Sequence, residues 1–496
     1  MGEPLLWAGT MLCAAGAVAG LLPLSRRVRL AALSGALALA PVLVIADNWG
    51  SARLVDLRER PSLLVAALLL VAIVIAVVAL CIRRRPSLLA PLLIGALPFR
   101  VPLDLGGGGE PANLLLPLYG LIAAGVLAAW LSEEPLPSAP ASGWLRWIGV
   151  ALAAFVGIYA LGAGPADDVS PAGEDVAFFL APFAALFFLL GEVRWERSTL
   201  RAVIWVLAAE ALVFAAIAGF QYASGELFWN DKLISGNEAH AYFRVNSLFW
   251  DPNILGRYLA VTMIVLATVV ASVRDRREQL IASGIFVVLL APLVVTYSQT
   301  STIALIAGAI VLVAARFGLA AGAVAALAAG LALLASVTLI AGGGLSDESN
   351  GRSGLIDGGL EIAADAPLVG TGSGSFPAEF KERFGGGRGI AVESHTEPVT
   401  VAAEQGAVGL LAYAALLAVT VGGLLSAAGL RLRGPASGAP MAAALLAVYA
   451  VMVVHSIGYA AFLTDPITWA VLAVAMAALA PATRRPPNAT GGAQPA

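Results

Sequence analysis

The sequence predicts an all-α, polytopic transmembrane fold with about 12–15 spans, and three observations lead there. Mean hydropathy is +0.88 and only 12% of residues are charged, too little polar surface to cover a soluble globule. Apolar runs of ~20 residues, enough to cross a hydrocarbon core of ~30 Å, recur from one end to the other. Arginines gather in alternate loops between those runs, as they do on the cytoplasmic side of membrane proteins.

Fifteen runs can be marked in order, at roughly 5–23, 29–46, 62–82, 87–99, 112–131, 144–163, 175–191, 200–219, 252–272, 279–297, 301–315, 317–341, 399–429, 440–462 and 466–481. The fourth is short, and the break between the tenth and eleventh is narrow. Alanine, glycine, leucine and valine dominate them, which suits close helix packing in lipid. No internal repeat stands out. The first run follows Glu3 and no basic residue, so it lacks the n-region of a cleaved secretory signal and is expected to stay as an anchor. Cys13 and Cys81 fall at different depths, which argues against a disulfide.

Arg26, Arg27 and Arg29, Arg83 to Arg85, Arg146, Arg194, Arg197 and Arg201, Arg274, Arg276 and Arg277, Arg316, Arg431 and Arg433, and Arg484 and Arg485 mark one set of loops. That set holds 18 of the 29 basic residues and six of the 32 acidic ones, so it is assigned to the cytoplasm. The opposite loops, including the long ones at 220–251 and 342–398, are then extracytoplasmic. An odd count of crossings places the N-terminus outside. The resulting organisation is an N-terminal helical region, 1–174; a central region, 175–341, including the outer loop 220–251; a large outer loop, 342–398; C-terminal helices, 399–481; and a disordered cytoplasmic tail, 482–496.

Transmembrane helices satisfy their own backbone, so chemistry must come from side chains at the outer ends and in the two long loops. The first loop leads through "RVNSLFWDPNILGRYLA", with Arg244, Asn253 and Arg257. Asn253 and Arg257 are four apart and share a helix face just below the surface. An arginine at that depth either snorkels to the headgroups or meets an anion. In the second loop, residues 352–364 and 375–384 have helical character. Between them "DAPLVGTGSGSF" is a turn-rich connector. Its G-x-G-x-G run follows no strand, so it is no dinucleotide site. His395 precedes the thirteenth run, with Glu397 and Glu404 near the start of that run. A histidine there is a polar anchor or a general base working near neutral pH. Neither loop carries a metal-ligand cluster. Asp167 and Asp168 resemble a metal-binding pair but read as a solvated loop face. Glu210 is a packing residue or part of a polar cavity, and His455 reads as a helix-to-helix hydrogen-bonding group.

"RVNSLFWDPNILGRYLA", "GRSGLIDGGLEIAADAPLVGTGSGSF" and "SHTEPVTVAAEQGAVGLLAY" resemble, in order and spacing, the motifs of the O-antigen ligase and O-antigen polymerase family of membrane glycosyltransferases. The resemblance covers about residues 175–480. It implies a C-type glycosyltransferase-like helical fold with the large extracytoplasmic loop as a cap, a glycan donor on a polyprenyl diphosphate, and transfer to a glycan or lipid acceptor hydroxyl without metal or other cofactor. It also implies that Arg244 and Arg352 hold the diphosphate and that His395 is the base or positions the acceptor. Asn253, Arg257, Glu397 and Glu404 are then candidate substrate-binding residues. Three positions depart from the family pattern: Ser247 stands where glycine is common, Thr396 where asparagine often follows the histidine, and Ser301 where arginine is frequent.

A glycosyl diphosphate leaves with negative charge building on the bridging oxygen, and arginine pairs two phosphate oxygens without losing its proton. The partners so implied are the lipid-linked donor, the acceptor and membrane lipids, with no nucleic acid; the location is the inner or plasma membrane. Two other readings remain in view. A metal-dependent polyprenyl-monophosphate glycosyltransferase would use acidic pairs such as Asp167 and Asp168. A transporter or lipid-linked glycan flippase would use Glu210 and His455 as coupling groups, although no inverted repeat or paired broken helices support it.

Overall fold

The computed structural model describes residues 3–103, 112–132, 143–239, 242–340, 346–385 and 394–479. The predicted tail 482–496 and the "GGGRG" link, 385–389, fall outside or at the edge of those residues, and the side chain of Arg352 is not among those described. Among the described residues, eleven helices are long and apolar enough to cross a membrane. Four shorter apolar helices, Pro86–Ala96, Leu116–Trp130, Leu319–Ala332 and Pro466–Ala478, occupy the four remaining predicted places. One departure from an all-helical chain is a three-residue antiparallel ladder, Val101–Leu103 with Ala112–Leu114.

The chain opens on a hairpin of α1 (Glu3–Leu21) and α2 (Arg26–Asp47), where Ser25 caps α2 by accepting from Val28 N–H. A short α3 (Ala52–Glu59) precedes α4 (Pro61–Arg84), which starts with proline in the first turn, where a missing N–H costs nothing. The side chains of α4 are largely exposed, as for a helix that faces lipid. Then come α5 (Leu89–Ala96), α6 (Leu116–Trp130) and α7 (Ile148–Gly162). α8 (Ser170–Asp175) runs through a π-helical turn, Val176–Leu180, into α9 (Ala181–Gly191), the most deeply buried of the crossing segments. α10 (Arg197–Ser224) stops at Gly225, whose left-handed φ of 72° ends the helix, and α11 (Asp231–Ala239) lies in the first long loop. The centre is built from α12 (Pro252–Ser272), α13 (Arg276–Val295), α14 (Gln299–Phe317) and α15 (Leu319–Ile340). The second long loop folds as α16 (Ser346–Asp365) and α17 (Phe376–Phe384), close to the two helical stretches expected. α18 (Glu397–Ala428), α19 (Pro440–Gly458) and α20 (Pro466–Ala478) complete the bundle. Cys13 and Cys81 are both free.

Two ends of the bundle are chemically distinct. At one, Arg26 pairs with Glu192 at 2.8 Å, Arg201 pairs with Glu278, and the Leu319 N–H reaches the Arg431 carbonyl at 2.7 Å. The other end gathers the long loops: Ser373 N–H donates to Gly162 at 2.9 Å, and Thr396 Oγ1 donates to the Ile457 carbonyl at 2.7 Å. The arginine-rich loops therefore lie away from the candidate site residues.

The large loop is fastened to α18 by a helix break. Gly406 has φ 61° and ψ −156°, which only glycine adopts readily, and an added Cβ would lie 2.4 Å from the Leu368 carbonyl carbon. The break frees backbone groups that the connector 366–375 then uses. Ala407 and Val408 N–H donate to Pro367 and Leu368, while Thr371 and Gly372 N–H donate to Ala403 and Glu404. Gly370, Gly372 and Gly374 all have positive φ, so the G-x-G-x-G run serves close backbone approach to a broken helix. A small core of Leu355, Ile362, Phe376, Phe380 and Ala403 holds α16 and α17 against the first turns of α18.

Candidate active site

The site is assembled from the starts of α12, α14 and α18 and the loop between α19 and α20. Asp251 caps α12 by accepting from Asn253 N–H at 2.6 Å, with Pro252 in the first turn, so "DPN" is a helix start written in residue types. One turn on, Arg257 points inward and is only 1% exposed. It does not snorkel. It forms an ion pair with Asp465, itself 2% exposed, and donates to the Ala461 carbonyl at 3.2 Å. Its Nε finds no hydrogen-bond partner among the described residues. Asp465 also caps α20 by accepting from Ile467 N–H at 2.7 Å.

Asn253 opens a buried polar chain. Ser298 Oγ donates to Asn253 Oδ1 at 2.7 Å, Ser298 and Ser301 hydroxyls are 2.7 Å apart, and Ser301 Oγ meets His455 Nε2 at 3.1 Å. His455 thus joins α19 to α14 as a helix-to-helix hydrogen-bonding residue. Ser301, where the family pattern often has arginine, is filled by this network and stands against Gly256, where an added Cβ would lie 2.4 Å from its Oγ. Arg244 reaches the same turn from the first long loop: its Nε donates to the Thr296 carbonyl at 3.0 Å. Three residues on, Ser247 has φ 52°, which accounts for the glycine preference at its position. It is held there by Gln221, whose Oε1 accepts from Ser247 N–H at 2.7 Å.

Tyr459 is the residue that draws the parts together. Its ring centroid lies 6.5 Å from that of His395, 5.8 Å from that of His455, and 5.8 Å from the Arg257 guanidinium carbon. His395 has φ 62°, an uncommon conformation for a residue with a side chain, held between Ser394 and Thr396. Glu397 fixes the loop that carries Tyr459: one carboxylate oxygen accepts from Ala461 N–H at 2.8 Å and Phe462 N–H at 3.0 Å. Glu404, two helical turns further on, is buried and accepts from Phe376 N–H at 3.2 Å, bracing the end of the connector. Both glutamates therefore hold backbone in the structure.

Arg100, which no sequence motif singles out, completes the cationic side. It follows α5 and lies within electrostatic reach of Asp465, Arg257, Tyr459 and Tyr119. Burial pushes its guanidinium below the usual arginine range; Asp465 opposes that shift and Arg257 adds to it. Tyr459 and Arg100 were missed because a lone aromatic or arginine near a membrane interface is commonplace. Asp465, in the turn before α20, reaches the same place by its ion pair with Arg257. Asp168 accepts from Ser170 N–H at 2.9 Å and stays exposed, a capping role in keeping with a solvated loop face. Glu210 accepts from Tyr258 Oη at 2.7 Å, joining α10 to α12.

Beneath Arg257 lies an apolar cavity of about 290 Å³ between α10, α12, α19 and α20. Tyr258 and Ile467 close its upper end, next in sequence to Arg257 and near Asp465; Val265, Val448 and Val471 are among its walls, and Trp195 and Pro440 lie toward the arginine-rich end.

Comparison with protein families matches residues 256–414 to the O-antigen ligase family. Over those residues the chain is similar to the O-antigen ligases. The match is narrower than the 175–480 over which motifs were legible. It takes in Arg257, Arg352, His395, Glu397 and Glu404, and leaves Arg100, Arg244, Asn253, Tyr459 and Asp465 outside. No curated protein matches the chain. With eleven helices among the described residues long and apolar enough to cross a membrane, the protein is multi-pass, and over the matched residues it is similar to the O-antigen ligases.

Proposed function

We propose that this enzyme transfers a glycan from a polyprenyl-diphosphate carrier to an acceptor hydroxyl on the extracytoplasmic face, without a metal ion. The observation that carries the reading is the placement of Arg257 and His395 around one ring, Tyr459, directly above an apolar cavity. A lipid diphosphate needs both: cations for its head and an apolar bed for its tail.

The acceptor oxygen bonds to the anomeric carbon as the bond from that carbon to the bridging diphosphate oxygen breaks, and the carrier leaves as polyprenyl diphosphate. Charge grows on that oxygen in the transition state, so cations fixed beside it lower the barrier more than they tighten ground-state binding. Arg257, with a buried Nε free of other hydrogen bonds among the described residues, and Arg100 beside it supply that charge, together with Arg244 and Arg352, the two residues expected from the sequence to hold the diphosphate. The acceptor proton passes to the His395 imidazole. Asn253 orients the start of α12 through its serine partners. Glu397 and Glu404 act as positioning residues, holding the Tyr459 loop and the connector by their backbone N–H groups. Attack opposite the leaving group inverts the anomeric centre.

The test is reconstitution of the purified protein with a polyprenyl-diphosphate oligosaccharide and acceptor. Transfer should persist in EDTA, and His395→Ala should lower kcat by about 10²–10⁴-fold, the usual worth of a general base. Arg352→Ala should abolish transfer in protein that still reaches the membrane. Parental rates in both variants would remove the assignment; loss of activity in EDTA would favour the metal-dependent alternative. A ladder of product lengths identifies a polymerase, and a single capped acceptor identifies a ligase.

A further inference from the structure

A second cavity, of about 570 Å³, opens at the arginine-rich end of the bundle, far from the candidate active site. It lies where α4, α6 and α9 end and α10 begins. Arg83 and Arg194 stand at its rim, and Ser87, Ser132, Ser198 and Thr199 contribute hydroxyls. Two carboxylates also line it, and they differ. Glu192 is buried and already neutralised by Arg26 at 2.8 Å, while Glu196 is exposed. Neither Arg83 nor Arg194 meets a carboxylate at ion-pair distance among the described residues.

Two further observations point inward. Thr199 is 7% exposed and lines the cavity, where its hydroxyl is placed to donate to a ligand oxygen. The 28-residue α10 begins at this cavity with no side-chain cap on its first turn, so its positive end and free N–H groups face the same space. The outer wall is α4, whose middle is lipid-facing, with Leu70 62% and Ile73 59% exposed, so the cavity sits at the edge of the bundle at headgroup level.

We propose that this cavity binds a phosphate-bearing anion, contributed by a phospholipid headgroup or by free phosphate. The guanidinium groups of Arg83 and Arg194 pair with the phosphate oxygens, and Thr199 and the first N–H groups of α10 donate to them. The proposal is independent of the transfer reaction.

Full-length protein in detergent is titrated calorimetrically with dioctanoyl-phosphatidylglycerol, with dioctanoylglycerol as a chain-matched neutral probe, and with inorganic phosphate. Saturable binding of the anionic lipid, but not of the neutral one, is expected. It should weaken about five-fold for each of Arg83→Gln and Arg194→Gln, and on the order of thirty-fold for the pair. Thr199→Val, which keeps shape and is expected to leave the melting curve unchanged, should weaken it several-fold. Arg84→Gln with Arg85→Gln removes the same charge outside the cavity and should leave it unchanged. Binding of inorganic phosphate with the same sensitivity identifies a free-anion site; lipid binding alone identifies a headgroup site. No saturable binding of either probe, or equal weakening by the Arg84 and Arg85 substitutions, overturns the proposal.

Discussion

Arg257 is a fully buried cation whose partner, Asp465, comes from the loop before the last helix. Desolvating such a pair offsets most of its attraction, so the pair matters less for net stability than for where it fixes the guanidinium. Removing one member is a different matter, because the other is left buried and uncompensated. Arg257→Ala and Asp465→Ala should each cost about 3–5 kcal/mol, read as a lower thermal midpoint and poorer yield in detergent. The double replacement Arg257→Met with Asp465→Leu should recover most of that loss while transfer stays absent. Recovery of both together would reduce Arg257 to a packing residue. Glu397→Gln belongs to the same scale: it weakens two charge-assisted bonds to Ala461 and Phe462, by about 1–3 kcal/mol together, and should loosen the Tyr459 loop so that kcat falls while the bundle melts nearly as before.

At the scale of elements, α18 joins site to membrane, and its break at Gly406 could not be read from hydropathy. The apolar run continues through residue 406 in sequence, and only the backbone angles interrupt it. Gly406→Ala would place a side chain in a region of φ and ψ that costs about 1–3 kcal/mol and would drive its Cβ into the Leu368 carbonyl. The expected result is faster proteolysis within 366–375 with little change in helical circular dichroism; equal proteolysis of variant and parent would mean that the connector holds by other contacts. The crossing helices themselves were legible because length and apolarity alone decide what can lie in lipid. The two loop helices were legible from their polar and apolar spacing. Asn253, Arg257 and His395 were legible because charged or titratable groups are expensive at that depth and so conspicuous. Their partners were not. Asp465, Tyr459 and Arg100 meet Arg257 only through tertiary packing of distant segments, and no local pattern announces such a meeting.

For the whole molecule, the separation of an arginine-rich end from the end bearing His395 converts a charge count into a statement about sidedness. Arg26, Arg201 and Arg431 lie with Glu192, Glu278 and Leu319 at one end, whereas the cap formed by α16 and α17 rests on the start of α18 at the other. Translocating that many guanidinium groups is disfavoured, so the cap is expected outside. Fifteen crossings also require that the α2–α3 turn be outside, because α2 leaves an arginine-bearing turn and ends there. In a background with Cys13→Ala and Cys81→Ser, single cysteines at the exposed positions Trp49, Ser224 and Lys381 should react with an impermeant maleimide on intact cells. Cysteines at Arg274 and Arg433 should react only after permeabilisation. The reverse pattern would put Tyr459, Arg257 and His395 on the cytoplasmic side, and the reaction proposed here, which needs its acceptor beyond the membrane, would fail with it. Labelling of the last four as stated but not of Trp49 would leave the site in place and show that one of the short apolar helices near the N-terminus does not cross.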